Sequence, residues 1–242
     1  MIKGKKVLGA VLARANSKGL PGKNSKDLSG KPLIQYTFES ALNSLYIDEV
    51  VISTDCQKCI KIANQFNVNV PFVRPDNLSG DTVSSAEVIQ HLIGYLGKKG
   101  YHYDYFVLLE PTSPLRSSKD IDNAIMQMIE EKNKSLVSVC QAEDQHPSFM
   151  FEIKENGNLN TWSGEVFKPL RRQDIGRAYY LEGSVYVSEV ETFLRLETFC
   201  HEETSAYIVP KWKAYEIDDI WDFLAVQAII DYKKNNPEAF NE

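Results

Sequence analysis

A basic segment near the start of the chain carries the residues best suited to binding an anion. Between Arg14 and Lys31 there are one arginine and four lysines against a single acid, Asp27, although the whole chain has a formal net charge of −6. The segment also contains three glycines and one proline, which allow tight turns that expose backbone N–H groups. We therefore expect this basic loop, residues 14–31, to bind a polyphosphate.

Two acids near the other end of the chain have the spacing of a metal-binding pair. Glu216 and Asp218 are separated by one residue, so in an extended segment both side chains lie on the same face. Paired carboxylates suit Mg²⁺, with Mn²⁺ as an alternative. Asp222 is different, because it falls in the first turn of a predicted helix, where the helix dipole accounts for it.

The elements that position these groups alternate between strand and helix. Hydrophobic patterns predict strands over 6–13, 49–53, 70–73, 104–109 and 135–140, and helices over 32–45, 57–66, 84–97 and 118–131. This order predicts an α/β fold with a mostly parallel sheet and helices on both faces, and the basic loop follows its first strand. Beyond residue 141 the pattern changes to short hairpin-like pieces such as 149–153, followed by strands over 183–187 and 206–209 and a closing helix near 219–234.

Composition limits the class of protein. A chain of 242 residues with 43% hydrophobic content suffices for one large core with a small appendage. The isoelectric point near 5.4 and the lack of a second basic patch argue against nucleic-acid binding. No apolar stretch reaches the roughly 20 residues of a membrane helix, and Arg14 ends the first apolar run too early for a secretory signal, so we expect a cytoplasmic protein with no membrane partner.

The spacing of the cysteines and histidines does not predict a metal site built from these residues. Cys56 and Cys59 form one Cys-x-x-Cys pair without the second pair or histidines that a zinc site needs. A redox pair is the alternative interpretation. We favour the interpretation that the cysteines are buried or incidental thiols without a redox role, as in proteins of a reducing compartment.

Five separated segments carry a resemblance to a known family. The order Ala-Arg-x-Asn-Ser-Lys-Gly-Leu-Pro-x-Lys-Asn in residues 13–24 is neither of the common glycine-rich phosphate motifs, but it resembles the signature loop of the CMP-sialic acid synthetases, or acylneuraminate cytidylyltransferases. Further segments resemble that family in the same order along the chain: Ile52–Asp55, Arg74–Ser85, Leu109–Arg116 and Glu216–Asp222. The resemblance implies a single domain over 1–242 with a three-layer α/β/α Rossmann-like nucleotidyltransferase fold. It also implies a small inserted dimerisation subdomain over 141–182, and hence a homodimer.

The resemblance also implies a reaction and a set of site residues. An alcohol oxygen of a nine-carbon 2-keto sugar acid attacks the α-phosphorus of CTP, and pyrophosphate leaves. The residues implied to be catalytic are Arg14, Lys18, Lys23 and Asp218, with Glu216 and Asp218 as the Mg²⁺ ligands. Those implied to bind the nucleotide are Arg14, Asn16, Ser17, Lys23, Asn24, Arg74, Ser84 and Ser85, where Asn24 either orders the loop or touches the nucleotide. Those implied to bind the sugar are Glu110, Thr112, Ser113, Tyr180 and either Arg172 or Arg177. These two arginines belong to the inserted region and would reach the sugar carboxylate, within one subunit or across a dimer interface, and Arg171 is a further candidate for the same role.

Three departures from the sialic acid pattern bear on the sugar. Glu110 stands where the family has glutamine, Leu181-Glu182-Gly183 replaces an Arg-Pro-Asn-Gly-like stretch, and Glu216 replaces aspartate. Ala178–Val187 and Val209–Lys213 resemble the bacterial branch that activates legionaminic acid, whose C7 acetamido N–H could donate to the acceptor-only Glu110. The alternatives are an N-acetylneuraminic acid enzyme and a non-catalytic nucleotide-binding module. Ketodeoxyoctonate and pseudaminic acid enzymes fit the motifs less well.

Overall fold

The computed structural model describes residues 1–162, 164, 171 and 175–240. Its strands are β1 Val7–Ala13, β2 Asp27–Leu28, β3 Lys31–Pro32, β4 Glu49–Thr54, β5 Tyr105–Leu109, β6 Ser135–Ala142, β7 Phe151–Ile153, β8 Leu159–Thr161, β9 Ala178–Glu189 and β10 Thr204–Ile208. Its α-helices are α1 Leu33–Leu42, α2 Gln57–Gln65, α3 Ser85–Lys98, α4 Ser118–Glu130, α5 Val190–Leu196 and α6 Ile220–Asn235.

A six-stranded sheet runs through the centre of the molecule in the order β10-β6-β9-β5-β1-β4. The pairs β1 with β4, β1 with β5 and β6 with β10 are parallel, whereas β9 runs antiparallel to both of its neighbours. All seven residues of β1 are buried, as expected for a parallel strand covered on both faces. The predicted α/β fold with a mostly parallel sheet is therefore confirmed.

Helices cover both faces of this sheet and make it a three-layer structure. One face packs against α1, α2 and α4, and the other against α3 and α5. Alternate residues of β1 enter the two cores, because side chains of a strand point to opposite faces: Val7, Val11 and Ala13 in the first, Leu8, Ala10 and Leu12 in the second.

A third apolar cluster joins the end of the chain to the basic loop. Phe223 and Val226 of α6 pack with Leu20 and Leu28 of the loop. Leu28 is fully buried, which stabilises such a side chain by about 1.5–3 kcal/mol. The last helix thus holds the basic loop in place.

Side-chain caps explain where three helices begin. Ser84 and Glu87 form a reciprocal capping box on α3, and Ser117 and Asp120 form one on α4. Asp219 caps α6 together with Asp222. The helices predicted over 84–97, 118–131 and 219–234 are confirmed to within a residue or two.

The strand predicted over 70–73 is wrong. Only Asn69 and Val73 make isolated bridges there, to Val51 and Thr54 of β4. Pro71 lies between them and has no N–H to donate, so a continuous ladder cannot form. The strand predicted over 183–187 is part of the longer β9, which leads directly into the unpredicted helix α5.

The region after β6 contains the predicted hairpin, formed by β7 and β8 outside the main sheet. Residues at both ends of the range 141–182 belong to β6 and β9 of the main sheet. Its role in dimerisation stays a prediction, and Arg172 lies outside the described residues. Within the described part of the chain, no helix is long and apolar enough to cross a membrane.

Candidate active site

Several of the predicted site residues lie at the carboxyl ends of β1, β4 and β5. The basic loop follows β1, Asp55 follows β4 and Glu110 follows β5. The Ala15 N–H donates to the Asp55 carboxylate over 2.8 Å, which ties the start of the loop to the neighbouring strand. The carboxyl edge of a parallel sheet is where ligands bind in open α/β folds.

The basic loop is ordered by its own side chains and by close packing. The Asn24 amide donates to the Arg14 carbonyl over 3.3 Å, while Asn24 Oδ1 is buried without a hydrogen-bond partner. A Cβ added to Gly19 would lie 2.3 Å from the Asp218 carbonyl oxygen, so only glycine allows this approach. Asn24 therefore helps to order the loop, which is one of its two predicted roles, and its contact with the nucleotide stays a prediction.

Lys23 connects the basic loop to the predicted metal ligands. Its ammonium group donates to the Ile217 carbonyl over 2.7 Å and pairs with Asp218 Oδ1 at 3.0 Å, although the two residues are 195 positions apart. The Lys23 side chain is only 11% exposed, whereas that of Asp218 is 78% exposed. The lysine is therefore fixed in place, and the carboxylate is open to a ligand.

Arg14 and Lys18 converge on an acid that sequence reasoning did not select. Asp81 accepts from Arg14 at 2.7 Å and pairs with Lys18 at 2.9 Å, and Arg14 also donates to the Gly80 carbonyl over 3.3 Å. The hydrogen bond from Lys18 holds the pKa of Asp81 below its usual value. Asp81 lies inside the Arg74–Ser85 segment, so membership of that segment was the one available signal, and it does not indicate the partners of Asp81.

A cavity of about 220 Å³ opens beside these cations. Residues that line it include Leu12, Arg14, Arg74, Asp81, Ser85 and Glu110. The buried Arg74 guanidinium donates to the hydroxyl and to the carbonyl of Ser53, and burial lowers its pKa. Ser85 donates to Glu110 over 3.1 Å, whereas the Ser84 hydroxyl is used in the α3 cap.

The remaining loop residues lie at the surface. Asn16 is exposed and Ser17 is half-buried. Both belong to the turn that carries Lys18, and their contact with a nucleotide stays a prediction.

Burial changes the chemistry expected of Glu110. It raises the pKa of this carboxyl to about 7, against the opposing effect of the Ser85 hydrogen bond. The charge of Glu216 raises it further, and Arg74 and Arg116 oppose that. A protonated fraction therefore exists near neutral pH, so Glu110 can donate as well as accept a hydrogen bond.

Glu216 is held by the turn that follows β5. Thr112 donates its hydroxyl to Glu216 Oε1 over 2.9 Å, and the Thr112 carbonyl accepts from the buried Ile217 N–H at 2.8 Å. Gly183 has φ +79°, and a Cβ there would lie 3.2 Å from both Glu216 carboxylate oxygens. Burial raises the pKa of Glu216, and Thr112 partly offsets this. Ser113, predicted beside the sugar, is buried with an unpartnered hydroxyl.

The donor set around Glu216 and Asp218 fits Mg²⁺. Among the described residues no group of three metal-ligating side chains gathers around one point, so the protein offers two carboxylates rather than a complete cage. Mg²⁺ is commonly bound in this way, with water and substrate phosphate oxygens completing the octahedron. Asp222 is not free for this role, since its carboxylate accepts the N–H groups of Asp218 and Asp219.

A second cavity, of about 320 Å³, lies beside Glu216. Its lining includes Gln141, Glu143, Tyr180, Lys211, Tyr215 and Glu216. Burial raises the pKa of the Tyr180 phenol. Arg177 is exposed and lines an adjoining cavity with His146 and Gly176, and the two cavities share Gln141 and Glu143.

A mostly parallel sheet covered by helices on both faces, with a basic loop and two nearby carboxylates at its carboxyl edge, is the arrangement expected of a nucleotidyltransferase. The Cytidylyltransferase family profile matches residues 8–223, and the chain belongs to that family. The family resemblance read from the sequence is thereby confirmed.

Named relatives cover nearly the whole chain. A pseudaminic acid cytidylyltransferase of Campylobacter jejuni is 33% identical over 94% of this chain and 97% of its own length. A CMP-N,N'-diacetyllegionaminic acid synthase of Legionella pneumophila is 32% identical over 84% of this chain and 87% of its own. The solved structure of a CMP:2-keto-3-deoxy-manno-octonic acid synthetase complexed with CTP has a TM-score of 0.66 at 18% identity, covering 94% of this chain and 99% of that one, and shares the fold.

Proposed function

We propose that this cytidylyltransferase transfers CMP from CTP to the anomeric hydroxyl of a nine-carbon 2-keto sugar acid and releases pyrophosphate. The contact of Lys23 with the Ile217 carbonyl and the Asp218 carboxylate carries the proposal. It joins the anion-binding loop to the carboxylate pair, as transfer of a phosphoryl group requires.

The role that we propose for each residue follows from its charge. Arg14, Lys18 and Lys23 bind the triphosphate, and little covalent chemistry is asked of the protein beyond holding the attacking hydroxyl in line with the departing pyrophosphate. Glu216 and Asp218 would hold Mg²⁺, or Mn²⁺ in its place, which supplies positive charge to the phosphate oxygens when bound.

For the sugar we propose N,N'-diacetyllegionaminic acid, with N-acetylneuraminic acid as the alternative. The segments Ala178–Val187 and Val209–Lys213 support this choice, together with Glu110 in place of glutamine. The relatives named for pseudaminic and legionaminic acids are almost equally similar to this chain, so overall identity favours neither sugar. The assay must therefore include both.

The function is tested by pyrophosphate release with Mg²⁺. CTP and the other nucleoside triphosphates are crossed with N-acetylneuraminic, N,N'-diacetyllegionaminic, pseudaminic and ketodeoxyoctonic acids. We expect fast release only with CTP, and fastest with the legionaminic sugar. Equal use of N-acetylneuraminic acid would indicate a general enzyme of the family, and CTP binding without release for any sugar would favour the non-catalytic module.

Glu110→Gln tests the proposed reason for the sugar preference. If Glu110 accepts from the C7 acetamido N–H, the variant shifts the ratio of kcat/KM values between the legionaminic and N-acetylneuraminic acids. An unchanged ratio would exclude Glu110 from that role.

We also propose that the protein acts as a cytoplasmic homodimer, as the family resemblance implies. The β7–β8 hairpin exposes Ile153 and Leu159, with Trp162 beside it, and apolar side chains of this kind suit a protein contact. Sedimentation of the protein with and without the Trp162→Asp substitution tests the contact. A dimer unaffected by this change would place the interface elsewhere.

A further inference from the structure

The cavity beside Glu216 has an unbalanced charge. Its charged lining residues, among those described, are four acids and one cation: Glu143, Asp144, Glu216, Asp222 and Lys211. A sugar acid that enters this cavity brings another negative charge. Lys211 is therefore the group of this lining that would attract the acid.

The chemistry of the proposed substrate restricts where its carboxylate can lie. In a 2-keto sugar acid the carboxylate is bonded to the anomeric carbon, and the attacking hydroxyl is on that same carbon. The group that binds the carboxylate must therefore lie near the carboxylates proposed to hold the metal, of which Glu216 lines this cavity. Arg177 meets this condition less well than Lys211, because it lines the adjoining cavity, which shares Gln141 and Glu143 with this one but is not lined by Glu216.

The backbone at Lys211 is held firmly while its side chain is not. Lys211 begins a short 3₁₀ turn that ends at Lys213, and the buried Lys213 ammonium pairs with Asp120 at 2.7 Å. The Lys211 side chain is 58% exposed and pairs with Glu143 at 2.8 Å and Asp144 at 3.7 Å, both of them also exposed. Exposed ion pairs of this kind contribute little to stability, so the lysine can exchange one carboxylate for another.

From these observations we infer that Lys211 binds the carboxylate of the sugar acid and is a determinant of selectivity for acidic sugars. The inference rests on the proposed function. It replaces the arginine of the inserted region, expected from the sequence, with a lysine on the segment that leads to Glu216. In the absence of sugar, Glu143 and Asp144 keep the ammonium group at the rim of the cavity.

The hydrogen bond that Lys211 donates to Glu143 raises the pKa of Lys211, which keeps it charged at neutral pH. The other charged groups that face it are Asp144, Glu216 and Asp222, all acids. Each favours the protonated lysine.

The experiment compares a sugar acid with its methyl ester. Pyrophosphate release is measured at saturating CTP for the wild type, Lys211→Ala, Lys211→Arg and Arg177→Ala, using whichever of the four acids the wild type uses fastest and the methyl ester of that acid. We expect Lys211→Ala to lose about ten- to hundredfold of the acid-over-ester preference in kcat/KM, the range for one charge-assisted hydrogen bond. The KM for CTP should change less than about twofold, and Lys211→Arg should keep most of the preference.

A matched control separates the binding role from a general effect of charge removal. Lys5 is also an exposed lysine with a carboxylate partner, Asp104 at 2.7 Å, and it lies outside both cavities. Lys5→Ala should leave the acid-over-ester preference at the wild-type value. A retained preference in Lys211→Ala, or its loss in Arg177→Ala, would overturn the assignment of Lys211 while leaving the proposed function intact. No release by the wild type with any of the four acids would overturn both.

Discussion

The raised pKa of Glu110 makes a prediction about stability that needs no substrate. The group is neutral in the folded protein up to a pH near 7, but in the unfolded chain it ionises near 4.5. A raised folded-state pKa contributes stability that is fully present below about pH 4.5 and is lost as the pH rises through 7. Glutamine has nearly the same shape as glutamate but does not ionise. The Glu110→Gln variant should therefore keep this stability as the pH rises, whereas the wild type loses it.

The size of the effect follows from the two pKa values. The interval between 4.5 and about 7 corresponds to about 3 kcal/mol of unfolding free energy. Glu110 is only half-buried by its exposed fraction, so water reduces the measurable part to about 1–3 kcal/mol. We expect the variant and the wild type to differ little at pH 5, and the variant to gain this amount relative to the wild type at pH 8.

Urea unfolding of both proteins, followed by circular dichroism at pH 5, 6, 7 and 8, measures the difference directly. Other titrating groups are common to the two proteins and cancel. Glu87→Gln is the control, because backbone and side-chain hydrogen bonds from Ser84 hold the pKa of Glu87 below its usual value, so its effect should be flat over this pH interval. A Glu110→Gln difference that stays constant from pH 5 to pH 8 would refute the reasoning.

Three further predictions concern ion pairs of the site. Lys23→Ala or Asp218→Ala should lower kcat by about 10²–10³-fold while circular dichroism shows an intact fold, and wild-type turnover would remove that residue from the mechanism. Asp81→Asn should release the two cations that it holds and lower the KM for CTP, so an unchanged KM would mean that Asp81 does not compete with the nucleotide. Lys213→Met should lower the urea-measured stability by about 3–5 kcal/mol, because it leaves the buried Asp120 charge unpaired, and a loss below about 1 kcal/mol would contradict a buried pair.

Local sequence signals were sufficient for the order of the elements. Runs of apolar residues predicted β1, β4 and β5, and the helical pattern of apolar residues predicted α3 and α4, whose serine caps the structure then shows. The error at 70–73 arose because Val70 and Phe72 suggest a strand, while the missing N–H of Pro71 decides against a ladder. The periodicity of apolar residues indicates which side chains are buried, but it does not indicate whether each backbone position has an N–H group to donate.

Contacts between distant segments could not be predicted in the same way. The residues of the site were named from motifs, but nothing local indicates that Asp81 pairs with Arg14 and Lys18. The raised pKa of Glu110 depends on burial, which the tertiary structure alone determines. The placement of Lys211 beside Glu216 likewise depends on a cavity formed by three separate segments.

The contact between Lys23 and the Ile217 carbonyl spans 194 positions of the chain. Closing so long a loop costs more chain entropy than pairing nearby segments, and such contacts form slowly in folding. Part of the sheet, including the pairing of β1 with β4, requires only the first 54 residues and can form earlier. During refolding we therefore expect catalytic activity to return after the circular-dichroism signal, so that activity reports the last long-range contacts to form.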